Sequence, residues 1–475
     1  MHPVRLHNSL TRSADLLEPI VPGRVTIYTC GSTVYRYAHI GNLRTYLFGD
    51  ILRRTLSYLG YEVLYVKNIT DVGHMRHDLT DTGEDRMEQA AIDEGKSPTE
   101  IADFYTAAWL EDEVAINILP VNVMPKATDH IAGMIAMIET LLERGLAYRV
   151  DGTIYYDVAA FDGYGKLSGQ KIDATQAGHR VDVESDKRHP QDFALWKAAE
   201  PGRLMKWPSP WGEGFPGWHI ECSAMSMQYL GERFDIHTGG IDLKFPHHED
   251  EIAQSEGTTG HQVVNVWLHG EFLTLDDAKM AKSAGNIIRV SELPQKGFSP
   301  LEFRYLALTA HYRSKLDFTE EAMGGAASGL RRLRRAAATG RTETPTPDLD
   351  AVPMAAYRAR FAEAISDDLA MPTALSVAHA LASATDLTDG QRRALLLDFD
   401  RVLGLDLDAP EGEPLPLPPG AANLLERRAT ARAERDWAAS DALRDELAAM
   451  GVEVRDTPEG QTAVPRRRTP DRPEP

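Results

Sequence analysis

The sequence predicts an α/β fold in which a doubly wound parallel sheet is split by an insertion and is followed by an α-helical bundle and a small C-terminal α+β domain. Three observations support this prediction: a strand–helix–strand pattern near the N-terminus, a β-hairpin pattern in the middle, and a composition rich in Ala, Arg and Leu after residue 325. Because 475 residues are too many for one hydrophobic core, we expect about two to four domains.

A strand–helix–strand unit is predicted at residues 25–66. Residues 25–29 and 63–66 are short apolar runs that are typical of buried strands. Between them, from Gly41 onward, apolar residues recur at helical spacing: Leu43, Leu47, Ile51, Leu52, Leu56 and Leu59. A strand, a helix and a strand in close succession predict a parallel sheet, which supports a nucleotide-binding domain.

The middle and C-terminal regions predict other architectures. A helical pattern at 130–146 is followed by AYRV, Asp151-Gly152 and TIYYDV, which predict a hairpin with a type I′ turn and hence an inserted antiparallel segment. Residues 409–420 form a Pro-rich break. Beyond it we expect one long amphipathic helix at 421–450 and a short strand pair, and we expect the last ten residues to be disordered.

The charge and the cysteine content limit the class of protein. A net charge of −20 argues against a surface coated in positive charge, while local basic patches remain compatible with phosphate contacts. No apolar run approaches the roughly 18 residues of a membrane span, and no secretory signal is recognisable. Two distant cysteines favour a reducing cytoplasm in which thiols stay free for a metal. The arginines at 331–335, 427–435 and 466–468 are explained, on charge alone, by solvated helix faces.

The two cysteines are candidate metal ligands. Cys222 precedes His247 by 25 residues and Glu251 by 29, while Cys30 ends an apolar run near the first predicted helix. Two thiols, an imidazole and a carboxylate suit zinc, and the last two share one helix face. Taken singly, a cysteine such as Cys222 is more often a small buried apolar residue than a metal ligand.

Two short motifs predict a nucleotide site. His39-Ile40-Gly41-Asn42 lies where the first strand leads into the first helix, and the backbone N–H groups of a helix start attract phosphate. Lys279-Met280-Ala281-Lys282-Ser283 carries two lysines that suit a loop closing on a triphosphate. Each motif alone is weak, since a surface helix cap and two solvated lysines explain them as well.

Together the two motifs resemble the signatures of class I aminoacyl-tRNA synthetases, and longer strings resemble the cysteinyl-tRNA synthetase family. These strings are YTCGSTVYRYAHIGNLRTY, YVKNITDVGH, WPSPWGEGFPGWHIECSAMS, FDIHTGGIDLKFPHHEDEIAQSE, KMAKSAGN and HYRSKLDFT. The resemblance extends over residues 20–465 and is densest in the first 320.

The resemblance implies a Rossmann-like catalytic domain with further domains attached. Its halves are expected at 1–125 and 191–270, on either side of a connective insertion at 126–190. The signature-loop and stem-contact region is expected at 271–325, a helical tRNA-binding bundle at 326–408, a small anticodon-binding domain at 420–465 and a disordered tail at 466–475.

The resemblance also implies roles for individual residues. The implied metal ligands, for one zinc ion per chain, are Cys30, Cys222, His247 and Glu251. The implied ATP-binding residues are His39, Gly41, Asn42, Gly239, Gly240, Asp242, Lys279 and Lys282, of which His39, Lys279 and Lys282 are implied to be catalytic. The implied contacts to substrate cysteine are Thr70, Trp218 and His237.

The family implies ATP with Mg²⁺, L-cysteine and tRNA(Cys) as partners, and a monomeric cytoplasmic enzyme. Zinc would select the cysteine thiolate over the serine hydroxyl. Three positions depart from the usual pattern, namely Asn42, Ala281 and Phe215. Two alternatives stay open: a related ligase that joins cysteine to an amino sugar in mycothiol synthesis, and a non-catalytic paralogue that binds zinc, thiol or RNA, which only the three departures support.

Overall fold

The computed structural model describes residues 2–77, 82–170, 187–275, 278–279, 287–341, 347–409, 420–434, 436–450, 452–457 and 460–465. The chain opens with an antiparallel hairpin of β1 (Arg5–Asn8) and β2 (Ser13–Leu16). The predicted unit follows as β3 (Arg24–Thr33), α1 (Ile40–Tyr58) and β4 (Glu62–Thr70), with β3 and β4 parallel. All the apolar residues predicted at helical spacing in α1 and its C-cap are buried, which confirms the periodicity.

Local capping chemistry sets the starts of the next helices. The chain continues through β5 (Met75–His77), β6 (Thr82–Asp85), α2 (Arg86–Glu94) and α3 (Pro98–Ala115). Asp85 caps α2 by accepting the backbone N–H groups of Met87 and Glu88. Ser97, the N-cap of α3, and Glu100, in its first turn, form a capping box at the start of this helix.

A helical and antiparallel segment interrupts the parallel sheet, as the sequence predicts. It contains α4 (Ile131–Glu143), β7 (Ala147–Val150), β8 (Thr153–Tyr156), β9 (Phe193–Ala198), β10 (Trp207–Ser209) and β11 (Gly212–Pro216). Within the described ranges these strands pair in the order β10-β11-β9-β8-β7. Asp151 and Gly152 have φ values of 44° and 91°, which confirms the predicted type I′ turn. The expected insertion boundary at 190 falls between β8 and β9 of this one sheet.

The parallel sheet resumes after this segment and creates a topological switch point. The chain forms α5 (Trp218–Leu230), β12 (Phe234–Gly240), α6 (His247–Thr259) and β13 (Val264–Gly270). Among the described strands the parallel order is β13-β12-β3-β4. From the central pair β3 and β12 the chain winds outward in both directions, so their carboxyl ends leave a crevice where ligands of such sheets bind.

The remaining elements form a small sheet and a helical bundle. The small sheet contains β14 (Leu273–Leu275), β15 (Ala278–Lys279) and β16 (Leu316–Phe318), and α7 (Pro300–Leu308) lies between the last two. The bundle contains α8 (Glu320–Thr339), α9 (Met354–Ser366), α10 (Met371–Ala382) and α11 (Asp389–Leu403). Tyr58, at the end of α1, donates a hydrogen bond of 2.6 Å to Asp398 of α11, so the bundle packs against the helix that leads away from the switch point.

A buried charge cluster ties the bundle to α1. Asp50, which is 1% exposed, accepts hydrogen bonds from Arg304 at 2.7 Å and from Arg54 at 2.8 Å. Arg304 also donates to the carbonyl oxygens of Ile116 and Leu403, at the ends of α3 and α11. The carboxylate of Asp50 therefore holds α1, α3, α7 and α11 together.

The predicted long helix at 421–450 is wrong. The structure instead has α12 (Ala421–Ala433) and α13 (Trp437–Ala449), followed by the antiparallel pair β17 (Val452–Thr457) and β18 (Gly460–Pro465). The break has a local cause, because Asp436 accepts the N–H of Ala439 and so caps a new helix. The two helices then fold on each other and bury Ala421 and Leu447 together.

Most of the predicted Pro-rich break, at 410–419, and the predicted tail at 466–475 lie outside the described residues. Of the helices that the structure does describe, none combines the length and the apolar character that a membrane span requires.

Replacing Asp50 by Asn should destabilise the protein by about 3 kcal/mol, because it removes the charge that compensates two buried guanidinium groups. The shift in the urea unfolding curve measures this loss. Glu62→Gln is the matched control, since Glu62 pairs with Arg24 at 4.0 Å on the surface and its loss should cost at most about 0.5 kcal/mol. Equal losses in both variants would contradict the role given to Asp50.

Candidate active site

A cleft of about 200 Å³ opens at the carboxyl ends of β3 and β12. Its walls include the ends of these strands and the starts of α1 and α5, with Cys30, Gly31, Asn42, Thr45, Trp218, Gly240 and Asp242. Since ligands of doubly wound sheets bind at this place, the cleft is the candidate active site.

The predicted motif His39-Ile40-Gly41-Asn42 forms the first turn of α1. Nδ1 of His39 accepts the N–H of Asn42 at 3.3 Å, and Oδ1 of Asn42 accepts the N–H of His39 at 3.2 Å. Asn42, one of the departures, thus completes a reciprocal capping box around Gly41. Burial and the nearby Arg36 lower the pKa of His39 to about 4. His39 is therefore neutral at pH 7 with its proton on Nε2, beside a helix start that attracts anions.

The end of β12 brings the predicted glycines and carboxylate to the same cleft. A Cβ at Gly239 would lie 2.6 Å from the ring of His248, and a Cβ at Gly240 would lie 2.4 Å from Asp242. Neither position accepts a side chain unless a neighbour moves. The same Cβ at Gly240 would lie 3.7 Å from Oγ1 of Thr45, so the end of β12 adjoins α1. Asp242 lines the cleft beside them.

Cys30, Cys222, His247 and Glu251 come together at the base of the cleft. One ligand atom from each lies within 4.8 Å of the others, and all four residues are buried. They are brought in by β3, α5 and α6, and His247 and Glu251 are one helical turn apart with Nε2 and Oε1 separated by 3.1 Å. The structure thus brings together the whole predicted ligand set, whose donors suit a divalent transition metal.

The free nitrogen of His247 is oriented into this cluster. Its Nδ1 lies 2.7 Å from Nδ1 of His219, and Nε2 of His219 lies 3.2 Å from Oδ2 of Asp250. Its Nε2 is buried and faces Oε1 of Glu251 at 3.1 Å, a contact that lacks the geometry of a hydrogen bond. A cation bound between this nitrogen and the carboxylate would be a partner for both, and the chain through His219 to a carboxylate is typical of metal-bound imidazoles.

The pKa values of the cluster describe a buried site that is rich in negative charge. Burial raises the pKa of Cys30, while a hydrogen bond from Cys30 lowers that of Cys222. Although burial lowers the pKa of His247, Cys222 and Glu251 raise it to about 10. Burial likewise raises the pKa of Glu251, but His237 and His247 outweigh it and hold it well below its usual range. Protonated imidazole therefore balances thiolate and carboxylate, and a metal ion replaces such protons when it binds.

Of the three residues predicted to contact the amino acid, Trp218 and His237 lie against candidate ligands of this cluster. The ring of Trp218 lines the cleft and lies 4.4 Å from that of His247. His237 is buried, with Nε2 2.8 Å from Glu251. Thr70 accepts a hydrogen bond from Asn68 at 3.0 Å. His237 thus contacts a candidate metal ligand directly, and the substrate roles of all three remain predictions.

Sequence reasoning missed a buried pair beside the cluster. His74 and Glu221 are both buried, with Nε2 and Oε1 separated by 2.6 Å, and burial raises the pKa of Glu221 well above its usual range. Both residues lie within the strings that carry the family resemblance. No spacing rule, however, pairs residues that are 147 positions apart.

The departure at Phe215 has a structural partner in Arg203. The guanidinium of Arg203 lies 3.4 Å from the centroid of the Phe215 ring. Arg203 also donates to the carbonyl oxygen of Gly73 at 3.2 Å and pairs with Asp85, the cap of α2. Phe215 therefore supports an arginine that fastens the antiparallel sheet to the segment carrying His74.

Of the two lysines in the predicted loop motif at 279–283, the structure describes only the backbone of Lys279. The backbone of Lys279 lies in β15, opposite Thr274 of β14. Lys282 and Ala281 lie outside the described residues. The roles of both lysines, and the effect of Ala281, therefore stay predictions.

Two family models match the chain. Residues 16–328 match the model described as tRNA synthetases class I (C) catalytic domain. Residues 416–463 match the cysteinyl-tRNA ligase anticodon binding domain. The first match covers the switch point and the cleft, and the second covers most of the C-terminal module.

Curated relatives match over nearly their whole length. The cysteine–tRNA ligase of Chlorobium luteolum is 44% identical, with 96% of this chain and 98% of the relative covered. Cysteine–tRNA ligase 1 of Burkholderia lata is 47% identical, with 97% and 96% covered. The cysteine–tRNA ligase of Thermus thermophilus is 44% identical, with 96% and 98% covered.

Solved structures share the fold at low identity. Methionyl-tRNA synthetase of Mycobacterium tuberculosis, in complex with methionyl-adenylate, aligns with a TM-score of 0.55 at 16% identity, covering 88% of this chain and 96% of that chain. The agnB2 LeuRS of Agrobacterium radiobacter K84, in a ternary complex, aligns with a TM-score of 0.59 at 11% identity, covering 82% and 84%. At such identities the likeness concerns the fold alone.

The cluster predicts a bound divalent metal ion, which elemental analysis of the purified protein should detect at about one equivalent per chain. Cys222→Ser should weaken metal binding by more than about tenfold, because it removes a soft ligand from a buried site. His130→Gln is the control: His130 is buried but bonds to Lys126 and Tyr229 instead. Full metal content in Cys222→Ser would exclude this cluster as the site.

Proposed function

This chain belongs to the cysteine–tRNA ligase family, and from that premise we propose that it activates L-cysteine with ATP, releases pyrophosphate and transfers the cysteinyl group to tRNA(Cys). The observation that carries the proposal is the position of the four-ligand cluster at the base of the cleft in which α1 begins. A soft metal site recognises a thiol, and a helix start binds phosphate, so the two halves of the reaction meet in one place.

The metal in this proposal is zinc, one ion per chain. Two thiols, an imidazole and a carboxylate form a set of donors that Zn²⁺ accepts. When bound, zinc supplies a position that prefers the sulfur of cysteine to the hydroxyl of serine. The chain's own task is to fix the ligands, which it does through His219 behind His247 and through His237 behind Glu251. Discrimination by roughly 10⁴ then comes from binding alone, without a separate editing site.

The start of α1 and the end of β12 support the adenylate-forming step. Neutral His39 offers an Nε2–H donor beside the N–H groups of the first turn, where charge develops on the phosphate. Asp242 lines the same cleft and is assigned to a ribose hydroxyl. In this proposal Lys279 and Lys282 neutralise the departing pyrophosphate and Mg²⁺ accompanies ATP. Catalysis is by positioning and charge stabilisation, with no covalent enzyme intermediate.

The C-terminal regions support the tRNA half of the proposal. Trp437 is 57% exposed at the start of α13, and the guanidinium of Arg432 lies 5.8 Å from its ring centroid. An exposed aromatic ring with a cation suits unpaired bases. We therefore assign anticodon binding to residues 420–465. Further tRNA contacts are assigned to the bundle at 326–408 and to the stem-contact region at 271–325. The two halves of the catalytic domain keep the ranges 1–125 and 191–270, and the insertion keeps the range 126–190.

The two alternatives have less support than tRNA charging. A ligase of cysteine and an amino sugar needs no anticodon-binding domain, whereas residues 416–463 match one. A non-catalytic paralogue has its basis in the departures, yet Asn42 caps α1 and Phe215 supports Arg203. By analogy with the family we propose a cytoplasmic monomer.

Purified protein loaded with zinc should show cysteine-dependent ATP–pyrophosphate exchange and should charge tRNA with a GCA anticodon. Serine should be activated less efficiently by roughly 10⁴-fold, because a hydroxyl is a poor ligand for a soft site. Exchange without tRNA charging would favour the amino-sugar ligase, and the absence of both would overturn the proposal.

His39→Gln should lower the exchange rate by about 10²-fold, because one donor to the developing phosphate charge is lost. Since the pKa of His39 is about 4, the imidazole stays a neutral donor down to pH 5. The exchange rates of the wild type and the variant should therefore depend on pH in the same way near pH 6.5. A decline centred on pH 6.5 that disappears in His39→Gln would show that the imidazole is not held neutral in this way.

A further inference from the structure

The hydroxyl of Tyr28 is a buried polar group that none of the roles assigned so far uses. Tyr28 lies on β3 two residues before Cys30, and alternate residues of a strand point to the same face of the sheet. Its side chain is fully buried, and its ring centroid lies 5.2 Å from that of His237, its partner residue on β12. No atom of the described residues meets the geometry of a hydrogen bond with the hydroxyl. Buried polar groups are nearly always hydrogen-bonded, so packing alone does not explain this one.

The charged groups that act on this hydroxyl belong to the metal-ligand cluster. Burial, followed by the charges of Cys222, Cys30 and Glu251, raises the pKa of Tyr28 well above its usual range. Among these three neighbours Cys222 has the largest effect. A phenol is protonated at neutral pH and can donate a hydrogen bond, whereas a thiolate or a carboxylate can only accept one.

The cluster carries more negative charge than one divalent cation compensates. Two thiolates and a carboxylate contribute three negative charges, so a divalent cation leaves one of them over, and a substrate thiolate adds another. Uncompensated charge in a buried site costs several kcal/mol, so each ligand needs a donor behind it. Two ligands have one: Nε2 of His237 lies 2.8 Å from Glu251, and Nε2 of His248 lies 3.4 Å from Sγ of Cys30.

Cys222 is the ligand that loses its donors when a metal binds. Hydrogen bonds from Cys30 and His247 lower the pKa of Cys222, but a metal bound to those two groups replaces the donated protons. Oδ1 of Asn68 lies 3.8 Å from the sulfur, but this carbonyl oxygen accepts the N–H of Gly31 and has no proton to give. The phenol on the neighbouring face of β3 is then the donor that Cys222 lacks.

We propose that the hydroxyl of Tyr28 donates a hydrogen bond to the metal-bound sulfur of Cys222 and thereby favours the binding of a third sulfur, that of the substrate. The hydrogen bond draws electron density from the thiolate, so this ligand gives less charge to the metal, which stays a better acceptor for the incoming sulfur. Tyr28 acts through Cys222 and is therefore a positioning residue. The inference rests on the proposed function, because it requires a metal that binds the thiol of cysteine.

Co²⁺ in place of zinc gives a direct readout of this hydrogen bond. A thiolate bound to cobalt produces a charge-transfer absorption band whose energy falls as the electron density on sulfur rises. Tyr28→Phe keeps the ring and breaks no hydrogen bond among the described residues, so the variant should fold as the wild type does. Without amino acid, its band should lie at lower energy than that of the wild type. L-Cysteine, titrated against the same band, should bind about tenfold more weakly, as expected for the loss of one hydrogen bond to a charged group.

Tyr65→Phe is the matched control. Tyr65 is also buried, on the adjacent strand β4, but its hydroxyl accepts a hydrogen bond from Thr29 at 3.0 Å. Thr29 follows Tyr28 in β3 and so points to the opposite face of the sheet. Tyr65→Phe should leave the position of the band unchanged and the affinity for L-cysteine within twofold of wild type.

The band and the titration separate this inference from the proposed function. A band in Tyr28→Phe at the wild-type energy, or an equal shift in both variants, would overturn the hydrogen bond to Cys222. A shifted band with an unchanged affinity for L-cysteine would overturn its role in binding the third sulfur. If L-cysteine leaves the wild-type band unaltered, the proposed function fails together with that role, and the band without amino acid alone decides on the hydrogen bond.

Discussion

The structure depends on the burial of charge at one point, where Cys30, Cys222, His247 and Glu251 share the space between β3, α5 and α6. A lone buried ion costs several kcal/mol, so such a group persists when partners of opposite charge surround it. Here the partners are supplied in two layers, with His237 and His219 behind the candidate ligands. These layers meet only if the sheet places the carboxyl ends of β3 and β12 side by side. The ligand set therefore depends on the doubly wound topology.

Helix α1 connects this point to the rest of the molecule. Its first turn borders the cleft through His39 and Asn42, its middle carries Asp50, and its end reaches Asp398 of the bundle through Tyr58. A helix fixed at three points along its length cannot shift at one end without straining the others. The position of the first turn of α1, at the cleft, is thus determined in part by packing against the helical bundle.

Much of this arrangement follows from local sequence patterns, and the rest depends on contacts that no local pattern encodes. The periodicity of α1 and the Asp151-Gly152 turn are local signals, and the structure has both. The four candidate metal ligands were predictable because each lies within a string that carries the family resemblance. By contrast, the pairs His74–Glu221 and Arg203–Asp85 join residues that are 147 and 118 positions apart. The break before Trp437 depends on a cap at Asp436, which the amphipathic pattern of 421–450 does not reveal.

We infer that the buried cluster holds a metal ion which recognises the sulfur of the substrate. X-ray absorption at the zinc edge of the zinc-loaded protein tests this inference directly, since sulfur and lighter ligands scatter differently. We expect two sulfur ligands in the free protein, from Cys30 and Cys222, and three after addition of L-cysteine, whereas the number should stay at two after addition of L-serine. If the number of sulfur ligands stays the same on addition of L-cysteine, the metal does not recognise the substrate through its sulfur.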